Sequence, residues 1–333
     1  MSNNSTVTIN LTITQYTSMY DLYKNYDIAS IIVNSTVAVA GTLINIWFLV
    51  ALLLSPEIRS GIRNKIICGM LVAHLTEAVI LCPFAVISSA SFLLRTTSSL
   101  DCSFWTIENN IYHIQDFVGN WYLFILLSVY TAQVMNFEPK LTPLRIKILT
   151  VAAFVAPCVF AVLFVPLTMK SFYLRYFDDR CFFSTRDALK VFTSLETAVP
   201  LTLSGLLLVA TAVLKYRRYP QGRSSDTLHA QLIDAGSQIN SLHPFIAIFV
   251  TAVASDFCMM MWFYKPWFFK GLIINVWLDV FIAFETLTYL RIIFLPVILL
   301  LFRDIRERIR TWRPCRRSTL RDDLVVTYQK NTS

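Results

Sequence analysis

Residues Gly271–Phe302 read GLIINVWLDVFIAFETLTYLRIIFLPVILLLF, and Arg303–Arg317 follow at once as RDIRERIRTWRPCRR. The first segment is an almost unbroken apolar run, long enough to cross the about 30 Å hydrocarbon core of a bilayer as a helix. The second is strongly basic. Its Ile305, Ile309 and Trp312 recur at helical spacing with charges between them. That pattern predicts a short amphipathic helix lying on the membrane surface, ended by Pro314.

Working back along the chain, six more runs have the same character, near Ala29–Leu54, Asn64–Ala90, Asn109–Asn136, Ile146–Met169, Ala188–Leu214 and Leu242–Tyr264. All are expected to be helices, because a segment in lipid must satisfy its own backbone hydrogen bonds. The composition agrees: of 333 residues 56% are hydrophobic and only 15% charged, against about 25% charged in ordinary soluble domains. A soluble enzyme, a disordered chain and a fibrous repeat are excluded. The expectation is an all-α integral membrane protein, a seven-helix bundle over 29–302. Residues 1–28 precede it as a polar, extracellular, glycosylated segment without the pattern of a signal peptide, and 303–333 follow as amphipathic helix and cytoplasmic tail.

The net charge of +8 reflects topology, not a nucleic-acid partner. With the N-terminus outside, the inner loops and tail hold roughly twice as many Lys and Arg as the outer loops, the bias expected of cytoplasmic segments. Sequons at Asn3, Asn4 and Asn10 suit a lumenal N-terminus. Cys102, just before the third run, and Cys181, in the loop between the fourth and fifth, then both face an oxidising compartment and can form a disulfide over the bundle mouth. Cys68, Cys82, Cys158 and Cys258 fall inside apolar runs and read as small core residues. Cys315, beside the membrane, is a candidate for S-palmitoylation or else a free cytosolic thiol.

Ionisable groups inside apolar runs are costly and therefore informative. They are His74 and Glu77 in the second run, Asp116 in the third, Glu196 in the fifth, Asp256 in the sixth, and Asp279, Glu285 and Arg291 in the seventh. Counted from Asn64, His74 lies about 15 Å deep at the rise of an α-helix, and Glu77 shares its face at i+3. An unpaired Arg291 at such depth is unfavourable, so Glu77 or Asp116 is expected to pair with it. His74, Glu77 and Arg291 form either a structural lock or a switch. Glu196, Asp256 and Asp279 are expected near the outer interface and solvated. Trp121 and Tyr122 lie deeper than the interfacial aromatics. With Asp116, Glu196 and Glu285 they are the ligand-pocket candidates.

The motifs HExxH, GxSxG, GxGxxG and the P-loop are absent, and the four His show no metal-ligand spacing. Neither an enzyme nor a cofactor or metal is expected.

Seven runs, an outer N-terminus, a Cys before the third run, a Cys in the second outer loop and a basic helix after the seventh together resemble a rhodopsin-like G-protein-coupled receptor over nearly the whole chain. Gly41-Thr-Leu-Ile-Asn45 resembles the Gly-Asn region of the family's first helix, and Asn64–Ala73 the start of its second. Pro200 resembles the fifth-helix proline, and Leu295-Pro296 running into Arg303-Asp304 the seventh-helix proline motif. Leu242-His-Pro-Phe245 looks most like the fish odorant-receptor-like group. The resemblance implies a multi-pass plasma-membrane receptor, with a small-molecule ligand of odorant type in the outer half and a heterotrimeric G protein as partner. The chain departs from the family where His74 replaces the second-helix acid and Thr131-Ala132-Gln133 replace Asp-Arg-Tyr. The Asn and Tyr of the seventh-helix motif are Leu295 and Leu299. Those family residues hold a sodium ion and the inactive-to-active switch. His74 and Arg291 would repel one, so Arg291 is expected to serve as a tethered internal cation, and His74 to make the equilibrium pH-dependent. A non-signalling scaffold and a transporter with a proton path are the alternatives.

Overall fold

Helix α1 (Ile13–Leu53) contains no Pro and no Gly before Gly41, and it stops just ahead of Ser55-Pro56, where the residue before a proline is driven out of the α region. The structure is a computed structural model. It describes residues 13–55, 61–94, 99–135, 148, 151–152, 155–159, 162–163, 172–177, 180–185, 191, 193–218, 241–263 and 274–311. The remaining elements are α2 (Ile62–Thr76), α3 (Cys82–Leu93), α4 (Ser99–Val134), β1 (Phe172–Phe177), β2 (Arg180–Thr185), α5 (Val199–Arg218), α6 (His243–Phe263), α7 (Ile274–Leu299) and α8 (Arg303–Thr311).

Two π-helical turns interrupt this pattern, Glu77–Leu81 between α2 and α3 and Ser194–Ala198 at the start of α5. Each has a proline two residues beyond it, Pro83 and Pro200. A proline removes the hydrogen bond to the carbonyl four residues back and its ring crowds that carbonyl. Those carbonyls belong to Val79 and Glu196, both inside the π turns, so the helix widens there.

Neighbouring helices in sequence are neighbours in space. Helix α1 packs on α2, α3 and α7; α4 packs on α2, α3, α5 and α6; α6 packs on α5 and α7. The described helices thus close into a ring, with α4 meeting four of the others. At one end Tyr130 of α4 stacks on Phe245 of α6 at 4.0 Å between ring centroids, and Phe302 meets Phe245 edge-on at 5.2 Å. Leu71, Leu123, Leu126 and Leu127 carry the core upward from there. Outward faces stay apolar as well, with Ile32, Val39, Leu43, Leu206 and Val209 exposed, as suits helices surrounded by lipid.

Among the described residues, four helical stretches are long and apolar enough to cross a membrane: Lys24–Leu53, Ile62–Ser91, Ile111–Val134 and Ser194–Arg217. Thr286–Leu299 with Arg303–Arg310, bent by 86°, makes a fifth if counted as one unit, and His243–Phe257 is a shorter apolar helix. The fourth apolar run lies largely outside the described residues.

Four expectations need correction. Helix α1 begins at Ile13 rather than near Ala29, because helix propagates through polar residues when no Gly or Pro stops it. The chain is not all-α: β1 and β2 form an antiparallel hairpin, with Tyr176 opposite Cys181, and their Phe and Tyr residues suit strands. Ile305 and Ile309 of α8 are buried against the bundle core rather than turned to lipid. Cys158 is exposed on the bundle surface, whereas Cys82 is buried; an apolar run alone does not separate a lipid face from an interior face. Cys258 lies outside the described side chains. Asn3, Asn4, Asn10, Trp312, Pro314 and Cys315 lie outside the described residues.

Candidate functional site: a buried arginine held by three acids

Arg291 sits on α7 one residue before Ile292 and is 8% exposed. Among the described residues it is the only buried Lys or Arg. Its Nη1 donates to Asp256 Oδ1 of α6 at 2.8 Å, and its Nη2 donates to Glu77 Oε1 of the first π turn at 3.2 Å. Nη2 also donates to Asp116 Oδ1 of α4. One guanidinium therefore joins four segments of the bundle, using the fan of donors that Lys lacks. The π turn matters here, since it carries the Glu77 carboxyl at the point where the helix widens.

A second layer supports these acids. His74 Nδ1 lies 3.3 Å from Glu77 Oε2. Asn120 Nδ2 donates to Asp256 Oδ2 at 2.7 Å, and Ser255 Oγ donates to Oδ1 at 3.3 Å. Thr288 Oγ1 donates to the Ser255 carbonyl at 2.7 Å, tying α7 to α6 again. Nearby, His113 Nδ1 of α4 lies 2.9 Å from Glu196 Oε2 of the second π turn. His113, Asp116 and Asn120 follow one another at i, i+3 and i+7 and so share one face of α4.

The expected pairing of Arg291 with Glu77 or Asp116 is met by both, and His74 and Arg291 converge on the same Glu77. Glu196 and Asp256 are corrections: they are 1% and 0% exposed, not solvated at an interface. Each has a polar partner on another helix that offsets its desolvation. Asp116, expected to line a pocket, is buried against Arg291. Tyr122 is a core residue whose hydroxyl lies 3.8 Å from Cys158 Sγ. Trp121 is half-buried between Phe117 and Phe124, and its Nε1 has no hydrogen-bond partner among the described residues. Glu285 and Asp279 lie on α7 but outside the described side chains. So do Cys102, on the first turn of α4, and Cys181, on β2; β1 lies against α4. His113 and Asn120 were missed, although their spacing from Asp116 marks them as one polar stripe. Among the described residues no His, Cys, Asp or Glu group has the geometry to hold a metal ion.

At the α8 end, Arg63 pairs with Asp304 and lies over the Phe302 ring, 5.0 Å from its centroid. On α8 itself Arg303 Nε donates to Glu307 Oε1 at 2.6 Å. That bond and the charge behind it hold the Glu307 carboxyl below its ordinary range and the Arg303 guanidinium above its own.

No known protein-family model and no curated protein matches the chain.

Proposed function

We propose that the chain is a divergent seven-helix receptor of the rhodopsin-like kind. It sits in the plasma membrane with its N-terminus outside, takes a small-molecule ligand of odorant type in the outer half of the bundle, and signals through a heterotrimeric G protein. The observation that carries this reading is the contact between the two strings that most resemble the family. Asn45 of α1 donates to the Ile292 carbonyl at 2.9 Å, four residues before Pro296 of α7. The closed ring of helices and the 86° bend into α8 support it. In this reading Arg291 is the bistable element: ligand binding above it biases whether α4, α6 and the second span stay drawn to α7. Cys102 and Cys181 pin the outer loop over the mouth, and the basic residues of α8 and the inner loops face the G protein.

The test is a G-protein dissociation panel in cells with the tagged chain at the surface, without ligand and with small odorants, amines and peptides. Constitutive or evoked dissociation supports a working receptor. Silence across all G-protein classes at good surface expression supports the second reading, a non-signalling scaffold. That second reading is favoured by the Tyr130–Phe245 stack and the Thr131–Thr211 hydroxyl contact at 2.8 Å. Both close the end of α4 where the family carries its arginine.

A further inference from the structure

Three carboxylates around one guanidinium leave two negative charges in the centre of the bundle, or one if His74 is protonated. Uncompensated charge in a dry interior is strongly unfavourable, and a group there neutralises itself instead. The three acids are not equally supported as anions. Asp256 accepts hydrogen bonds on both oxygens, from Arg291, Ser255 and Asn120. Glu77 faces Arg291 with both oxygens and His74 with one. Among the described residues Asp116 meets Arg291 through Oδ1 alone, and its buried Oδ2 has no hydrogen-bond partner. Glu196 repeats the pattern: Oε2 meets His113, and the buried Oε1 has no partner among the described residues.

We propose that this polar centre is a proton-binding site, with the proton on Asp116 and the His113–Glu196 pair as the adjoining station that exchanges it. The ligand is a proton rather than a metal ion or an organic ammonium, because Arg291 already fills the position among the three acids that a larger cation would take. The groups facing Asp116 are Arg291 of α7, Glu77 of the first π turn with His74 behind it, Asp256 of α6 and Glu196 of the second π turn. Tyr112 and His113 of its own helix complete the set. A neutral Asp116 leaves Arg291 to Glu77 and Asp256; an ionised one draws α4 onto α7. Proton occupancy thereby sets how tightly the third span is held. This inference concerns the charge state of the bundle and stands or falls apart from G-protein coupling.

The experiment is infrared difference spectroscopy on the purified full-length protein in lipid nanodiscs, between pH 5.5 and 8, with and without carboxyl-labelled ¹³C-aspartate. A protonated-carboxyl C=O band that moves to lower wavenumber with labelled aspartate, and is lost in Asp116→Asn, is the expected result. If Asp116→Asn does not fold, Asp116→Glu decides: the band is then expected to move with labelled glutamate and no longer with labelled aspartate. Glu196→Gln is expected to slow or remove the pH response of the band. No protonated-carboxyl band at any pH in the range overturns the proposal. So does a band that, in the parent protein, moves only with labelled glutamate.

Discussion

Asn45 Nδ2 lies 2.9 Å from the backbone oxygen of Ile292, the carbonyl that Pro296, lacking an N–H, leaves without its helical donor. The same nitrogen donates to the Gly41 carbonyl at 2.8 Å within its own helix. One amide thus repairs the defect that a proline makes in α7 and fastens α1 to it. Asn45→Leu removes both bonds and leaves a buried carbonyl unpaired, a loss of about 1–3 kcal/mol. The expected outcome is a lower Tm in detergent with the helical circular dichroism unchanged at low temperature. An unchanged Tm means that the Ile292 carbonyl has another donor.

Gly41 allows that approach. A Cβ at position 41 would stand 2.9 Å from Ile292 Cγ2, with Ala78 Cβ at 3.5 Å. Gly41→Val is expected to destabilise by about 1–3 kcal/mol through overpacking. Ile292→Ala alone is also destabilising, because it leaves a cavity. The double variant is expected to be better than the sum by at least about 0.5 kcal/mol, the signature of sites in contact. Thermal unfolding of the four proteins measures it, and strict additivity contradicts the contact.

Arg291→Met leaves Glu77, Asp116 and Asp256 facing one another. Removing one partner of a buried charge group costs about 3–5 kcal/mol, so the variant is expected to lose most of its surface expression. Sodium is the informative additive. With the tethered cation in place, replacing choline chloride by sodium chloride is expected to leave the Tm unmoved. In Arg291→Met, sodium is expected to raise it. A sodium-sensitive parent protein contradicts the role of Arg291 as internal cation.

The Arg303–Glu307 pair gives α8 a pH dependence. The Glu307 carboxyl is held below its ordinary range by Arg303. Its contribution to the folded helix is therefore present above the ordinary carboxylate range and lost as pH falls through the lowered value. Hydrogen exchange at Glu307–Thr311, corrected for intrinsic rates, is expected to quicken on acidification, and less so in Glu307→Gln. Identical profiles for the two proteins contradict it.

The Arg63–Asp304 pair joins the start of α2 to α8. Being partly exposed, it is worth no more than about 1 kcal/mol. Asp304→Asn is expected to loosen α8 without unfolding the bundle, an effect that high salt reproduces in the parent protein. Exchange of α8 amides reads both, and a response to salt in Asp304→Asn equal to the parent's contradicts the assignment.

Helix positions were legible because apolar runs of spanning length have few alternatives, and the need for an acid beside Arg291 was legible because charge in lipid demands a partner. The choice of partners was not. Glu77, Asp116 and Asp256 come from three segments far apart in sequence, and Asp256 looked solvated from its place near the outer end of its run. Which face of the sixth span turns inward depends on packing against α4 and α7, to which an all-round apolar helix gives no clue. The π turns were equally hidden, although Pro83 and Pro200 marked where a helix must give way. His113 and Asn120 were readable as a stripe with Asp116, but a stripe does not say what it faces.

By itself the sequence determined that this is a chain of long apolar helices, that basic residues gather at one set of loops and at the tail, and that a few ionisable groups lie where lipid cannot solvate them. These follow from composition and period, which act locally. Only the tertiary structure decided that one guanidinium takes three carboxyls, that Glu196 belongs to His113, that Asn45 answers Pro296, and that α8 buries its isoleucines in the bundle. Those are contacts across sequence distance. In a dry interior a polar group takes whatever partner the packed helices bring within hydrogen-bond reach, and that reach is fixed by how the helices are rotated against one another.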